Sequence, residues 1–319
     1  MKLALFGDLH GRVLLPFYLM DRWQQEHGEA IEYALCTGDV GVYRGLHSME
    51  PTSRRWAERY PEELGFCRFL LHTDDAGRFS PHPGAEELLS RVRADLYFVP
   101  GNHEDHDYLE QLWRHYASSL EEPVAVDLDW PGLAEGAYQQ QDFCGHGRLR
   151  CLPQGRRTTL PGPLDEQTWE PAYELGLMAI TGLHRYTPRE AWAARATEPV
   201  DVLLTHGTYM GRIQRRDRDG RLKDIGSTRL RELIRRVGPA AHFFGHHHRS
   251  YPEEGLSNHQ GGVTRSVGLN QVFFESPHAP LTRGCFGILD VDGPGRLRYH
   301  EVTDPWLQDL RGSHCERYL

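Results

Sequence analysis

Leu3-Ala4-Leu5-Phe6-Gly7-Asp8-Leu9-His10 is the stretch on which the fold turns. Four consecutive apolar residues are too few for a helix and suit a strand buried on both faces. The Gly-Asp-x-His that follows would then emerge at the strand's carboxyl end. The same arrangement recurs at 33–36 before Gly38-Asp39, and at 96–99 before Gly101-Asn102-His103-Glu104. It recurs again at 202–204 before Thr205-His206-Gly207 and at 242–244 before Gly245-His246-His247-His248. Between these runs, residues 14–25, 85–92, 107–116 and 228–237 carry helical spacing, the last after Ser227 as N-cap. Strands alternating with helices predict an α/β layered fold. Brändén's rule places ligand sites at the carboxyl ends of strands in open α/β sheets, where all five motifs fall.

The chain has 319 residues, which admits two domains or one large one. No repeat or linker divides it, so a single domain over 1–319 is expected. Two stretches break the alternation. Residues 43–84, with Pro51, Pro61, Pro81 and Pro83, read as an inserted substrate-recognition segment, and residues 130–170 as an irregular loop region. Residues 284–302 read as a C-terminal β-hairpin about Gly293-Pro294-Gly295.

The net charge of −9 excludes a general field that would gather polyanions, so a phosphate-rich substrate must be drawn by metals or by a local basic patch. Six Cys without a CxxC pair give neither a zinc ribbon nor a disulfide framework, and buried reduced thiols are the reading. Cys144, His146 and Cys151 lack a fourth ligand for a zinc clip. The apolar start is too short for a signal peptide, and residues 13–20 are too short to span a bilayer. A cytoplasmic protein with no membrane association is expected, and no protein partner is indicated.

Nineteen His, clustered beside Asp, Asn and Gly, point to metal. In Asp8-x-His10 and His246-x-His248 the donors stand at i and i+2, which in extended backbone puts both on one face. Counting donors predicts two ions. Asp8, His10 and His248 would hold one, Asn102, His206 and His246 the other, and Asp39 would bridge them at the separation of roughly 3.5–4 Å typical of two-metal hydrolases. Carboxylates, imidazoles and an amide together suit a divalent transition metal, Mn favoured over Fe, Zn or Co. His103 remains over as a general acid. Taken singly, each motif has a bland reading: Gly38-Asp39 as a turn, His246-His247-His248 as a solvated tract. Their joint occurrence in one order does not.

The ordered pattern D-x-H, G-D, G-N-H-E, H, G-H-x-H from Asp8 to His248 resembles the calcineurin-like metallophosphoesterases. The resemblance implies a four-layer αββα sandwich of two mixed β-sheets flanked by helices, and a dinuclear centre on the ligands named above. It also implies hydrolysis of phosphate esters by in-line attack of a metal-bridging hydroxide, with His103 at the place of the family's non-ligand catalytic histidine. The spacing is similar to the RNA lariat debranching branch, whose insertion after the second motif corresponds to 43–84. That branch has Cys where this chain has Asp8, so a conventional two-metal site is expected here. The protein-phosphatase pattern G-D-x-V-D-R-G lacks its second Asp in Gly38-Asp39-Val40-Gly41-Val42-Tyr43.

Substrate contacts must come from outside the metal core. Ten Arg or Lys against four acids between 212 and 236 make a basic segment, from which Arg212 and Arg215 are taken as phosphate contacts. Arg54 and Arg55 beside Trp56 and Tyr60 mix cations with aromatics as single-strand binders do. Arg148, Arg150, Arg156 and Arg157 form a further basic stretch. The function expected is a phosphodiesterase acting on nucleic acid, RNA or single-stranded DNA, or on nucleotide-like diesters. A phosphomonoesterase or phosphoprotein phosphatase with the same centre is the alternative. A non-catalytic scaffold would have lost ligands, and none is missing.

Overall fold

In a computed structural model of the chain, β1 (Lys2–Phe6) is an interior strand of a seven-stranded sheet. The residues described are 1–70, 85–116, 122–127, 147–165, 167–183 and 199–319. β1 pairs in parallel with β2 (Tyr33–Cys36), and β2 with β3 (Asp95–Phe98). The sheet continues through β5 (Leu149–Cys151) to the short β4 (Val124–Ala125). On its other side β1 runs antiparallel to β14 (Phe286–Val291), which pairs with β15 (Leu297–Glu301) across the Gly293-Pro294-Gly295 turn.

A second, six-stranded sheet has the order β12 (Tyr251–Ser257), β13 (Val263–Gly268), β11 (Ala241–Phe244), β8 (Val202–Thr205), β7 (Glu174–Ile180), β6 (Arg157–Pro161). Its four central strands are parallel, and both edges are antiparallel.

Period-2 alternation sorts the core into layers. Leu3 and Leu5 of β1, Val202 and Leu204 of β8, and Ala241 and Phe243 of β11 meet between the sheets. Burying each Leu there contributes about 1.5–3 kcal/mol. Ala4 and Phe6 face the other way, against Leu15–His27, Ala85–Arg91 and His106–Tyr116, which supply Phe17, Trp23, Leu88 and Leu112. On the far side Leu230, Leu233 and Ile234 of Thr228–Val237 cover Met178, Ile180 and Leu203. Ser227 caps that helix by accepting from Leu230 N at 3.2 Å. Helix, sheet, sheet, helix is the four-layer order expected from the sequence.

Several strands carried no usable sequence signal. β5 and β6 fall inside 130–170, so the irregular reading of that stretch does not hold where it is described; residues 128–146 and 166 lie outside the described residues. β12 is exposed over most of its length and contains Pro252, tolerated because an edge strand need not donate on both sides. The basic stretch near 150 is internal bracing. Arg148 and Arg150 both donate to Asp95 at 2.7 Å, Arg148 also bonds Val92 and Ala94 carbonyls, and Arg157 donates to Pro199 O. Cys36, Cys151, Cys285 and Cys315 are buried free thiols and Cys67 is half-buried. Cys144 and His146 lie outside the described residues. No helix among the described residues is long and apolar enough to cross a membrane.

Candidate metal centre

β1, β2 and β3 of one sheet and β8 and β11 of the other end on the same side, so five loops converge over the seam between the sheets. The i, i+2 residues are not in extended backbone. His10, Asp39, His246 and His248 have φ of 47°, 45°, 69° and 49°, four of the five non-glycine residues in the left-handed region among those described. Each such residue costs about 1–2 kcal/mol, a strain that concentrates where side chains must be aimed. The chain turns sharply at each strand end instead of running on, and this swings the donors inward.

The strand-end glycines are required by close approach. A Cβ on Gly101 would stand 2.0 Å from Asp39 Oδ1, and one on Gly245 would stand 2.1 Å from Asp8 Oδ1. Any side chain there would displace a carboxylate.

Asp8, His10, Asp39 and His248 bring donor atoms within 4.8 Å of one another, as do Asp39, His206 and His246, so Asp39 belongs to both groups. Asn102 Oδ1 is 3.1 Å from His206 Nε2. The remaining spacings are similar. His10 Nε2 to His248 Nε2 is 3.0 Å, His248 Nε2 to Asp8 Oδ2 3.3 Å, His206 Nε2 to Asp39 Oδ1 3.2 Å, and His246 Nδ1 to His206 Nε2 3.2 Å. Ligands about 2.0–2.1 Å from a shared ion stand roughly 3.0–3.4 Å apart, so these atoms fit a metal between them.

Proton accounting points the same way. His206 Nδ1 lies 2.9 Å from Thr37 O, which can only accept, so Nδ1 carries the hydrogen and the neutral ring offers a bare Nε2. That lone pair faces a carboxylate oxygen and an amide oxygen. A cation resolves the clash. Burial alone would lower the proton affinity of His206, but Asp39 and Asp8 override it and raise the pKa to about 9. For His10 the same contest is won by Glu63, Asp39 and Asp8, again at about 9. The field that favours a proton there favours a metal in its place. Burial opposes ionisation of Asp39, yet the surrounding imidazoles hold it well below the usual carboxylate range.

A family model for calcineurin-like phosphoesterases matches residues 1–250. This chain belongs to the calcineurin-like phosphoesterase family. The His/Asp groups able to hold metal lie within the matched residues. The lariat debranching enzyme of Arabidopsis thaliana is 20% identical over 294 residues, covering 85% of this chain. The chain spans about 60% of the length of that relative. Among solved structures, the protein TT1561 of Thermus thermophilus aligns with a TM-score of 0.42 and 11% identity over 94% of this chain and 98% of that one. The purple acid phosphatase PPD1 of yellow lupin (Lupinus luteus) seeds aligns at 0.40 and 12% identity over 94% and 51%.

Around the phosphoesterase cluster the structure adds partners that the motifs did not indicate. His103 donates its backbone N–H to Asp39 Oδ1 at 2.7 Å, and its Nδ1 is 2.9 Å from Ser53 Oγ, itself 3.0 Å from the hydroxyl of fully buried Tyr43. Burial lowers the His103 pKa, against the pull of Asp39. Glu63 is buried with Oε2 3.5 Å from His10 Nδ1. No sequence signal marks these residues, since Glu62-Glu63 reads as one acidic pair in a charged stretch. Glu104, next to His103 in the motif, is buried. Its two oxygens accept from Val40 N and Val42 N at 2.8 and 2.7 Å, bracing the turn that holds Asp39.

Two predicted substrate arginines are turned onto the protein itself. Arg54 donates to Met49 O and His47 O at 3.0 and 3.1 Å. Arg212, its side chain only 7% exposed, binds Glu254 and the Pro252 carbonyl and lies over the rings of Phe244 and Tyr251. Sequence shows a cation but not the carbonyls beside it. Arg55 is exposed on Pro51–Arg59. Arg215 is exposed on a separate ribbon of β9 (Gln214–Arg216) and β10 (Leu222–Asp224), directly opposite Lys223.

Proposed function

We propose that this phosphoesterase is a dinuclear-metal-dependent phosphodiesterase acting on nucleic acid or nucleotide-like diesters. The observation that carries the reading is Asp39, a single buried carboxylate common to two donor clusters. Asp8, His10 and His248 would hold one ion, Asn102, His206 and His246 the other, and Asp39 both. The oxygen-and-imidazole donor set favours Mn, with Fe, Zn or Co able to take the same ligands. Bound there, such ions supply Lewis acidity toward phosphate oxygens and activate water at neutral pH.

The chain's own residues do the rest. Buried Asp8 and Asp39 set the negative field, while Glu104 and the motif glycines fix where their oxygens lie. His103, with Nδ1 taken by Ser53, presents Nε2 as the atom that holds the proton for the departing alcohol. Preference for diesters is supported by the lariat debranching relative and by the basic ribbon with Arg215, an attachment for a substrate longer than one phosphate. Asp8, which stands where that branch carries Cys, separates this chain from debranching in the strict sense.

The test is a rate comparison, with Mn present, of bis(p-nitrophenyl) phosphate, p-nitrophenyl phosphate, linear RNA, branched RNA and single-stranded DNA. Diesters are expected to turn over at least tenfold faster than the monoester, and faster with nucleic acid as ionic strength falls. A monoester preference would replace the reading with a phosphatase one.

A further inference from the structure

A cavity of about 180 Å³ opens beside the metal cluster. Its floor is made by His10, His103 and His248, and its walls by Trp56, Tyr60 and Phe273. The walls are ordered by one another. Trp56 and Tyr60 stack with centroids 5.7 Å apart and planes 21° from parallel, and Tyr60 meets Phe273 edge-on at 5.3 Å. The Arg12 guanidinium, held by the Leu9 and His10 carbonyls, lies 4.9 Å over the Phe273 ring. Packing alone does not account for this group. Tyr43, from the same stretch of chain, is fully buried, whereas Trp56 keeps 44% of its surface exposed at the rim.

We infer that this cavity receives the base of the nucleoside that leaves as the alcohol. The inference rests on the diesterase reading and adds to it which side of the scissile phosphate is recognised. Three features lead there. A face of Trp56 held in place offers a stacking platform to any planar ring, with little rotamer freedom left to lose. The volume lies below the ~300 Å³ at which pockets take drug-sized ligands, so it holds one ring system rather than a dinucleotide. His103, from which the leaving oxygen takes its proton, forms the floor, so the group seated in the cavity is the one that departs. Gln271 also lines the space and brings an amide able to pair with a base edge.

The reaction balances simply. Water oxygen bonds to phosphorus, the P–O bond to the nucleoside breaks, and the nucleoside oxygen takes a proton. Methyl adenosine 5′-phosphate reads the orientation directly, because it can release adenosine and methyl phosphate, or methanol and AMP. Mn-loaded enzyme is expected to give adenosine over AMP by at least tenfold. Trp56→Ala should cut that ratio about tenfold, the order expected for loss of one stacking partner, and Trp56→Phe should restore most of it. Binding of adenosine to metal-free protein, followed by NMR titration, should weaken about tenfold in Trp56→Ala. A ratio near one, an excess of AMP, or a ratio unchanged in Trp56→Ala overturns the inference while leaving the diesterase reading intact. If no diester is hydrolysed, including bis(p-nitrophenyl) phosphate, the proposed function fails instead. The adenosine titration then decides the cavity alone, equal affinity in wild type and Trp56→Ala overturning it.

Discussion

Glu104 shows how one residue can govern a site without touching what binds there. Both its oxygens accept backbone N–H groups flanking Gly41, so the Asp39 turn hangs from it. Burial and the nearby Asp39 charge push its carboxyl up to about 8, against those hydrogen bonds, which leaves little room for a change of group. Glu104→Gln replaces one acceptor by an NH₂ facing a donor. Stability is expected to fall by about 1–3 kcal/mol, read as a lower urea midpoint. Mn affinity by calorimetry should fall roughly 10–100-fold, as for groups that orient ligands. An unchanged affinity would mean that Asp39 is held without Glu104. The sequence places Glu104 beside the motif donors without showing which backbone groups it holds. The donors that cluster were legible because metal chemistry restricts residue type; a carboxylate that serves backbone amides carries no such mark. Ser53 and Glu63 were invisible for a different reason: their partners, His103 and His10, lie far away in the chain.

At the scale of the element, the strands were legible and the turns that end them were not. Apolar runs at 33–36 and 242–244 identify strands because burial on both faces demands them. The left-handed turns at His10, Asp39, His246 and His248 are imposed by tertiary fit; Asp and His enter that region more readily than most residues, but too rarely for the sequence to announce it. Element faces also carry a buried titratable group. His242 on β11 lies between Thr205 Oγ1 at 2.8 Å and Ser266 Oγ at 2.9 Å, and burial, with Arg212 adding to it, lowers its pKa to about 3. A depressed folded pKa means that the unfolded chain takes the proton first. This contribution is therefore complete above about pH 6.5 and is lost as pH falls toward 3, at no more than about 1.4 kcal/mol per pH unit. Urea midpoints from pH 7.5 to 4.5 should decline in the wild type and flatten in His242→Gln. Parallel declines would assign the pH dependence elsewhere. The β9–β10 ribbon sets Arg215 opposite Lys223, a like-charge pair that is unfavourable unless it meets an anion. Arg215→Glu with Lys223→Glu should raise KM for single-stranded oligonucleotides about tenfold at low salt. It should also lower the slope of log(kcat/KM) against log salt by about 1.4, the value for two phosphate contacts. An unchanged slope would remove the ribbon from the binding track.

Across the whole molecule the donor cluster lies where the two sheets meet. Asp8, His10, Asp39 and Asn102 follow strands of the seven-stranded sheet, and His206, His246 and His248 follow strands of the six-stranded one. Between the sheets lies an apolar layer held by non-directional packing. Above it burial and mutual repulsion oppose ionisation of Asp8 and Asp39, and the imidazoles around them outweigh both and hold the two carboxyls below their ordinary range. A divalent ion bonded to side chains from both sheets would tie the layers together and bind only the folded chain. Mass action then raises stability by about 2.7 kcal/mol when the free ion is at a hundred times its Kd. Melting after EDTA treatment and again in excess MnCl₂ should show Tm several degrees higher with Mn, and Mg should give less. Asp39→Asn removes a charge common to both clusters. Its metal-free form should melt below the wild type, because the imidazoles that hold the Asp39 carboxylate ionised lose that partner, and most of the Mn-dependent gain should disappear as well. If the variant keeps the full gain, the ions do not share Asp39, and the two clusters act independently.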